Sequence, residues 1–201
     1  MTSRPAVPSD AAAITTTVAL AFADDPIWAP ALSHGASDSA HVLDFWRFFV
    51  DGALRFDLST VVEGADGEVA AVALWIAPGS PELSDEQEAG ITALVERALD
   101  AAGAAAMFEL WERFEKSHPA EPAHAYLSVL ATHPDHRGHG IAQTLLAESL
   151  VGFDRLAIPT FLESSNPANN HRYARAGYEA VGELVAPVTG APVALMWRDA
   201  R

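Results

Sequence analysis

The residues whose types and spacing can do chemistry are densest in His133-Pro134-Asp135-His136-Arg137-Gly138-His139-Gly140-Ile141-Ala142-Gln143-Thr144-Leu145-Leu146, where a β-like run meets a helix-like one. A glycine-rich junction of this kind presents free main-chain N–H groups and the positive end of a helix dipole, and it lets a ligand approach the backbone closely. The occupant it suits is a phosphate or pyrophosphate. Two common phosphate loops do not fit. The dinucleotide fingerprint needs a third small residue where Gln143 stands, and a Gly-Lys-Ser/Thr sequence occurs nowhere in the chain. His133, His136 and His139 recur beside Asp135, a spacing that raises the question of a metal. Pro134 and the glycines make the segment a loop instead of one helical face, and no second ligand cluster accompanies it, so no metal is expected.

Composition narrows the chemistry further. The absence of cysteine excludes disulfides, thiolate nucleophiles and cysteine-based zinc sites, and suits a reducing cytoplasm. A formal net charge of −15 argues against nucleic acid as a partner, because phosphate backbones are bound by neutralising them with Lys and Arg. An acidic surface draws cationic small molecules, and it equally serves plain solubility. Hydrophobic residues make up 50% of the 201 and run along the whole length without a linker, so one globular domain over 1–201 is expected. The first residues lack an apolar core of signal-peptide length and no run approaches a membrane span, so a soluble, cytoplasmic protein without a membrane partner is expected.

Periodicity predicts the elements that must hold the glycine loop. A short strand at 4–6 leads through Pro8-Ser9-Asp10, an N-cap signal, into a helix at about 11–23. Asp24-Asp25-Pro26-Ile27-Trp28-Ala29-Pro30 breaks that helix and is expected to be a loop. Val42, Phe45, Trp46, Phe49, Ala53 and Phe56 recur at helical steps and predict a second helix at about 38–57 with an aromatic face. β-rich runs at 59–63 and 68–77 flank the turn signal Gly64-Ala65-Asp66-Gly67 and predict an antiparallel hairpin. Ser84 or Asp85 caps the next helix, and another follows Gly103 and ends before Pro119. There follow a central strand at 123–132, the glycine loop, a helix at about 138–153, a short strand at 159–164 and a helix at about 166–175 stopped by Gly177. Strands at 179–184 and 193–198 finish the chain. The fold class is α+β in three layers: a mixed, mostly antiparallel twisted sheet of about seven strands flanked by helices.

Arg-x-x-Gly-x-Ala, from Arg137 to Ala142, resembles the acetyl-CoA loop of the GCN5-related N-acetyltransferase (GNAT) family. Downstream, Phe161-Leu162-Glu163-Ser164-Ser165-Asn166 and Tyr173-Ala174-Arg175-Ala176-Gly177-Tyr178 are similar to that family's fifth-strand and fourth-helix motifs, and the element order agrees from end to end. The wording of both motifs looks most like the puromycin N-acetyltransferase-like actinobacterial members. The resemblance implies a sheet whose fourth and fifth strands splay apart, with the pantetheine arm of acetyl-CoA, the cosubstrate, pairing in the gap as an added strand would. Carried onto this chain, it implies that Leu130, Ala131 and Thr132 offer main-chain groups to the arm. Arg137, Gly138, His139, Gly140, Ile141 and Ala142 would hold the pyrophosphate, and Asn166 would reach back to the arm. Asn166, ahead of Pro167, is equally a turn or cap residue.

The implied reaction is direct attack of an amine on the acetyl thioester in a ternary complex, through a tetrahedral intermediate. The amine must lose a proton, the oxyanion needs an N–H donor and the leaving thiolate benefits from a proton. A tyrosine titrating near pH 10 is neutral at pH 7, and a thiol titrates near 8.5, so Tyr173 fits the acid; otherwise it is an aromatic anchor for its helix. Glu163 and His124 are candidate bases, Glu63 is a further carboxylate to weigh, and a chain of waters is equally open. Acceptor selection falls to Asp24, Asp25 and Trp28 in the loop after the first helix, to Trp75 on the hairpin, and to Tyr126. An acidic pair beside an indole suits an ammonium-bearing, partly aromatic acceptor; the alternative is a helix turn in which Trp28 plugs the core. The function expected is N-acetylation of a primary amine on a small molecule, an antibiotic or toxic metabolite among the candidates. Acetylation of a protein N-terminus or lysine, and a non-catalytic acyl-CoA-binding regulatory module, are the alternatives. Relatives commonly form homodimers, and that assembly is open here.

Overall fold

The computed structural model describes residues 2–64 and 67–201, so part of the expected hairpin turn, Ala65 and Asp66, lies outside the described residues. Strands β1 (Ser3–Pro5), β2 (Thr60–Glu63), β3 (Val69–Ile76), β4 (Ala125–Thr132), β5 (Thr160–Ser164), β6 (Glu179–Val185) and β7 (Pro192–Arg198) form one seven-stranded sheet in the order β1-β2-β3-β4-β5-β7-β6. Only β4 and β5 run parallel; the other neighbours are antiparallel.

Helices α1 (Ala11–Ala21), α2 (Trp28–Ser33), α3 (His41–Ala53), α4 (Asp85–Ala98) and α5 (Ala101–Ser117) cover one face, while α6 (Ile141–Arg155) and α7 (Asn170–Arg175) lie on the other. The alternation of β3 explains the layering. Val72, Leu74 and Ile76 pack with Ile14, Val18, Phe45 and Met107 on the first face. Ala71, Ala73 and Trp75 meet Leu145, Leu146 and Phe153 on the second. With neighbours on both edges and both faces, β3 is buried at every position, which is why its sequence is an unbroken apolar run.

One element departs from expectation. The segment expected to be a loop contains α2, with Pro30 inside it. Pro30 falls in the first turn, where the missing N–H is not needed, and Oδ1 of Asp25 accepts from the amides of Ile27 (2.9 Å) and Trp28 (3.0 Å) as a cap. Among the described residues no helix is long and apolar enough to cross a membrane.

Two irregularities shape the centre of the sheet. In the β3–β4 register Leu74 faces Val129 and Trp75 faces Leu127, so Ser128 is skipped in a bulge. The side chains consequently change sides: Leu127 belongs to the α6 face, whereas Val129 and Ala131 belong to the α1 face. Meanwhile β4 and β5 pair only through Ala125 with Thr160 and Tyr126 with Phe161. Beyond the bulge they diverge.

Candidate active site

The divergence opens a cleft of about 580 Å³, lined along β4 by Leu127, Ser128, Leu130, Ala131 and Thr132 and along β5 by Leu162, Glu163 and Ser164. At its mouth lies the glycine loop. Arg137 N bonds to Pro134 O (3.2 Å), and the amide of Thr144 bonds to Gly140 O (3.0 Å) as α6 begins. Among the described residues the amides of 138–143 between them form no such bond, so they remain donors at the positive end of a 15-residue helix. Gly138 and Gly140 have φ of +84° and +71°, and a Cβ built on either meets nothing within 4 Å among the described residues. A backbone shaped for glycine, free donors and open space in front together fit a pyrophosphate, the group the sequence assigned to this loop.

The expected cofactor residues divide. Leu130, Ala131, Thr132, Arg137, Gly138, Gly140, Ile141, Ala142 and Asn166 all line the cleft. His139 does not; it is exposed, with Nδ1 3.3 Å from His136 O. Arg137 donates from Nη2 to Ala21 O (2.9 Å) at the end of α1, so this side chain ties the glycine loop to that helix while its guanidinium keeps further donors. Oδ1 of Asn166 accepts from Ala168 N (3.0 Å), the cap role; among the described residues its NH2 has no protein partner. The three loop histidines are turned to different neighbours, His136 Nε2 lying 2.7 Å from Glu68 Oε1. Among the described residues no group of three or more His, Asp or Glu is placed to hold a metal.

Tyr173, on the first turns of α7, lines the same cleft. Burial pushes its phenol up to about 12, the Asp25 charge adds to this and Arg172 opposes it. The hydroxyl therefore keeps its proton at neutral pH.

A second cavity, about 760 Å³, joins the cleft where both are lined by Phe22, Trp28, Ser128, Glu163 and Ser165. One wall is aromatic: Trp46, Phe49, Trp111 and Phe114, with Trp28 stacked on Phe114 at 5.8 Å and 9°. The rest carries the carboxylates of Glu82, Glu88, Glu115, Glu121 and Glu163 together with His118, His124 and Tyr126. No Lys or Arg is among the described residues that line it. Glu163 stands at the junction, its side chain 5% exposed, with Oε2 buried and, among the described residues, without a hydrogen-bond partner. His124 is buried; its Nδ1 lies 2.9 Å from Pro122 O and its Nε2 3.0 Å from His118 Nε2. Burial lowers its pKa, His118 adds to this, and Pro122 O and Glu163 oppose it. Burial also holds the Tyr126 phenol well above its usual range, aided by the charges of Glu163 and Glu82.

Several expected acceptor residues take other places. Trp75 lines neither cavity: it is fully buried on the α6 face, edge-on to Phe153 at 4.7 Å, because strand alternation aims it away from the acceptor side. Asp25 borders the cleft, but its carboxylate is engaged by Ile27, Trp28 and Ser165. Asp24 borders the cleft from an exposed position, and Trp28 borders both cavities. Glu63 bonds to Arg4 at the sheet edge and lines neither.

Glu82 and His118 were not among the residues expected at the site. Both lie in links between elements, where no periodicity assigns a direction. Glu82 is only partly exposed and its carboxyl faces inward; burial raises it to about 7, the Glu163 charge adds to this, and the Ser128 hydroxyl and His118 oppose it. The one available signal was its place between Pro81 and Leu83, an apolar anchor that is itself buried.

The sequence profile of the Acetyltransferase (GNAT) family matches residues 39–178, and the chain belongs to that family. Similar solved structures include a histone acetyltransferase HPA2 and related acetyltransferase from Corynebacterium glutamicum, 22% identical with a TM-score of 0.66 over 100% of this chain and 96% of that one. Arylalkylamine N-acetyltransferase 2 from Aedes aegypti is 14% identical with a TM-score of 0.72, over 100% and 99%. A polyamine N-acetyltransferase from Drosophila melanogaster is 14% identical with a TM-score of 0.69, over 98% and 99%. These likenesses establish the fold, and the family establishes the class: an acetyl-CoA-dependent N-acetyltransferase.

Proposed function

We propose that this protein acetylates a primary amine on a small cationic molecule with an apolar, partly aromatic body, by direct attack on acetyl-CoA in a ternary complex. The observation that carries this reading is the second cavity, which meets the cleft at Glu163 and combines an aromatic wall with carboxylates and no lining Lys or Arg. Indole and phenyl faces attract an ammonium, and the carboxylates favour it further. The names of similar proteins, which include arylalkylamine, agmatine and polyamine N-acetyltransferases, support the same class of acceptor.

In this reading the free edge of β4 at 130–132 pairs with the pantetheine arm, and the amides of 138–142 hold the pyrophosphate. The amine nitrogen lies beside Glu163, which takes its proton. A β4 amide near Leu130 faces the developing oxyanion, and Tyr173 gives its proton to the departing thiolate. An antibiotic or toxic metabolite bearing such an amine suits the cavity, and the work would be done in the cytoplasm.

Isothermal titration with acetyl-CoA, followed by thiol-release assays on arylalkylamines, diamines and peptides, tests the reading. Turnover of small amines is expected. Binding without turnover of any amine would indicate an acyl-CoA-sensing module instead, and turnover of peptides alone a protein acetyltransferase.

A further inference from the structure

Glu163 is almost closed off from water, so a proton it takes from an amine needs a way out. His118, in the link between α5 and β4, stands at that exit. We propose that His118 and Glu163 hold one proton between them and that His118 passes the amine's proton on to solvent, acting as a positioning and relay residue through Glu163. This role rests on the acetyl transfer proposed above.

Tautomers decide it. A carbonyl oxygen only accepts, so the 2.9 Å contact between His124 Nδ1 and Pro122 O requires an N–H on Nδ1. Burial disfavours a charge on His124, which leaves Nε2 with its lone pair. His118 Nε2, 3.0 Å away, must then donate. A neutral His118 is thereby left with a bare Nδ1, 3.5 Å from Oε1 of Glu163. A lone pair and a carboxylate oxygen repel at that separation, so an added proton is stabilised between them, on the ring or on the carboxyl. The His118 side chain is 35% exposed against 5% for Glu163, so the ring is the member of the pair that reaches water. Tyr126 and Phe161 hold it edge-on, each at 4.9 Å. The titratable groups facing the ring are Glu82 as well as Glu163, His124 and Tyr126.

In the step itself an N–H bond of the bound ammonium breaks and the proton forms a bond to Glu163 Oε2. The electron pair stays on nitrogen, ready for attack, and one proton leaves the pair through His118 to water. Nothing is oxidised or reduced.

Nitrogen-15 NMR of the histidine rings at alkaline pH, assigned with His118→Gln and His124→Gln, reads the tautomers without needing an acceptor. The expected result is Nε2–H on His118 and Nδ1–H on His124; Nδ1–H on neutral His118 overturns the proposal. Kinetics follow with whichever amine the wild-type protein acetylates. His118→Gln is expected to lower kcat about ten- to a hundred-fold, alter the acid limb of the pH profile, leave acetyl-CoA affinity unchanged and regain rate with added imidazole. An unchanged kcat and pH profile in this variant would overturn the relay while leaving the transferase assignment intact. If no amine turns over in the wild-type protein, the functional reading fails and the tautomers still decide whether the pair exists. Should His118→Gln not fold, His118→Asn and the wild-type spectra serve in its place.

Discussion

Oδ2 of Asp25 accepts a hydrogen bond of 2.7 Å from Ser165 Oγ, a residue 140 positions away in the chain. With Oδ1 capping α2, this one carboxylate fixes the α1–α2 turn to the end of β5 and seats Trp28 between the two cavities. Asp25→Ala is expected to cost about 1–3 kcal/mol of stability and to raise KM for the amine more than it changes kcat. Thermal melts and steady-state kinetics check both, and Asp25→Asn should lose less.

Tyr173 reaches the cleft as a neutral phenol at working pH. Tyr173→Phe should lower kcat by about one to two orders of magnitude and leave the dissociation constant of acetyl-CoA nearly unchanged, because the ring still packs and only the proton is lost. Single-turnover kinetics with calorimetric binding separate the two quantities.

At Gly138, Ala would meet no atom within 4 Å among the described residues, so the direct cost is that of a non-glycine residue at positive φ, about 1–2 kcal/mol. The methyl group would instead stand near the path of the pyrophosphate. Gly138→Ala is expected to melt within several degrees of the wild-type protein yet bind acetyl-CoA at least ten-fold more weakly, as calorimetry would read.

Glu82 titrates near 7 in the fold against an ordinary value of 4.5, chiefly because its carboxyl is buried. The folded protein thus holds this proton more readily than the unfolded chain does. Stability from this group falls as pH rises through 4.5 to 7, and a cost on the order of 3 kcal/mol is fully present above 7. Glu82→Gln should flatten that fall in a series of melts from pH 5 to 8. A cationic amine should stabilise the wild-type protein most above pH 7, where the carboxylate is charged.

How much of this was legible in the chain depended on the kind of element. Strands and helices with strong periodicity, such as β4 and α3, lie within a few residues of expectation, and the glycine loop stands at the strand-to-helix junction expected of it. Trp75 was misplaced because composition names an aromatic residue and not its direction; only pairing with β2 and β4 fixes which face it takes. The helix at α2 was hidden by Pro30, since a proline permitted in a first turn looks the same in sequence as one that ends a helix. His118 and Glu82 became neighbours of Glu163 through folding, across separations that no local pattern spans.

The skipped Ser128 bears on how this strand tolerates change. An insertion or deletion in an ordinary strand shifts its register from that point on; here the wild-type chain already contains such a shift, and the natural arrangement depends on it. Removing that one residue would set Leu127 next to Val129 and restore plain alternation, with Leu127 still toward α6 and Val129 and Ala131 still toward α1, but it would take away the extra residue that bends and twists β4. Without that bend β4 is expected to run straighter beside β5 and to narrow the gap between them, although every core side chain keeps its face.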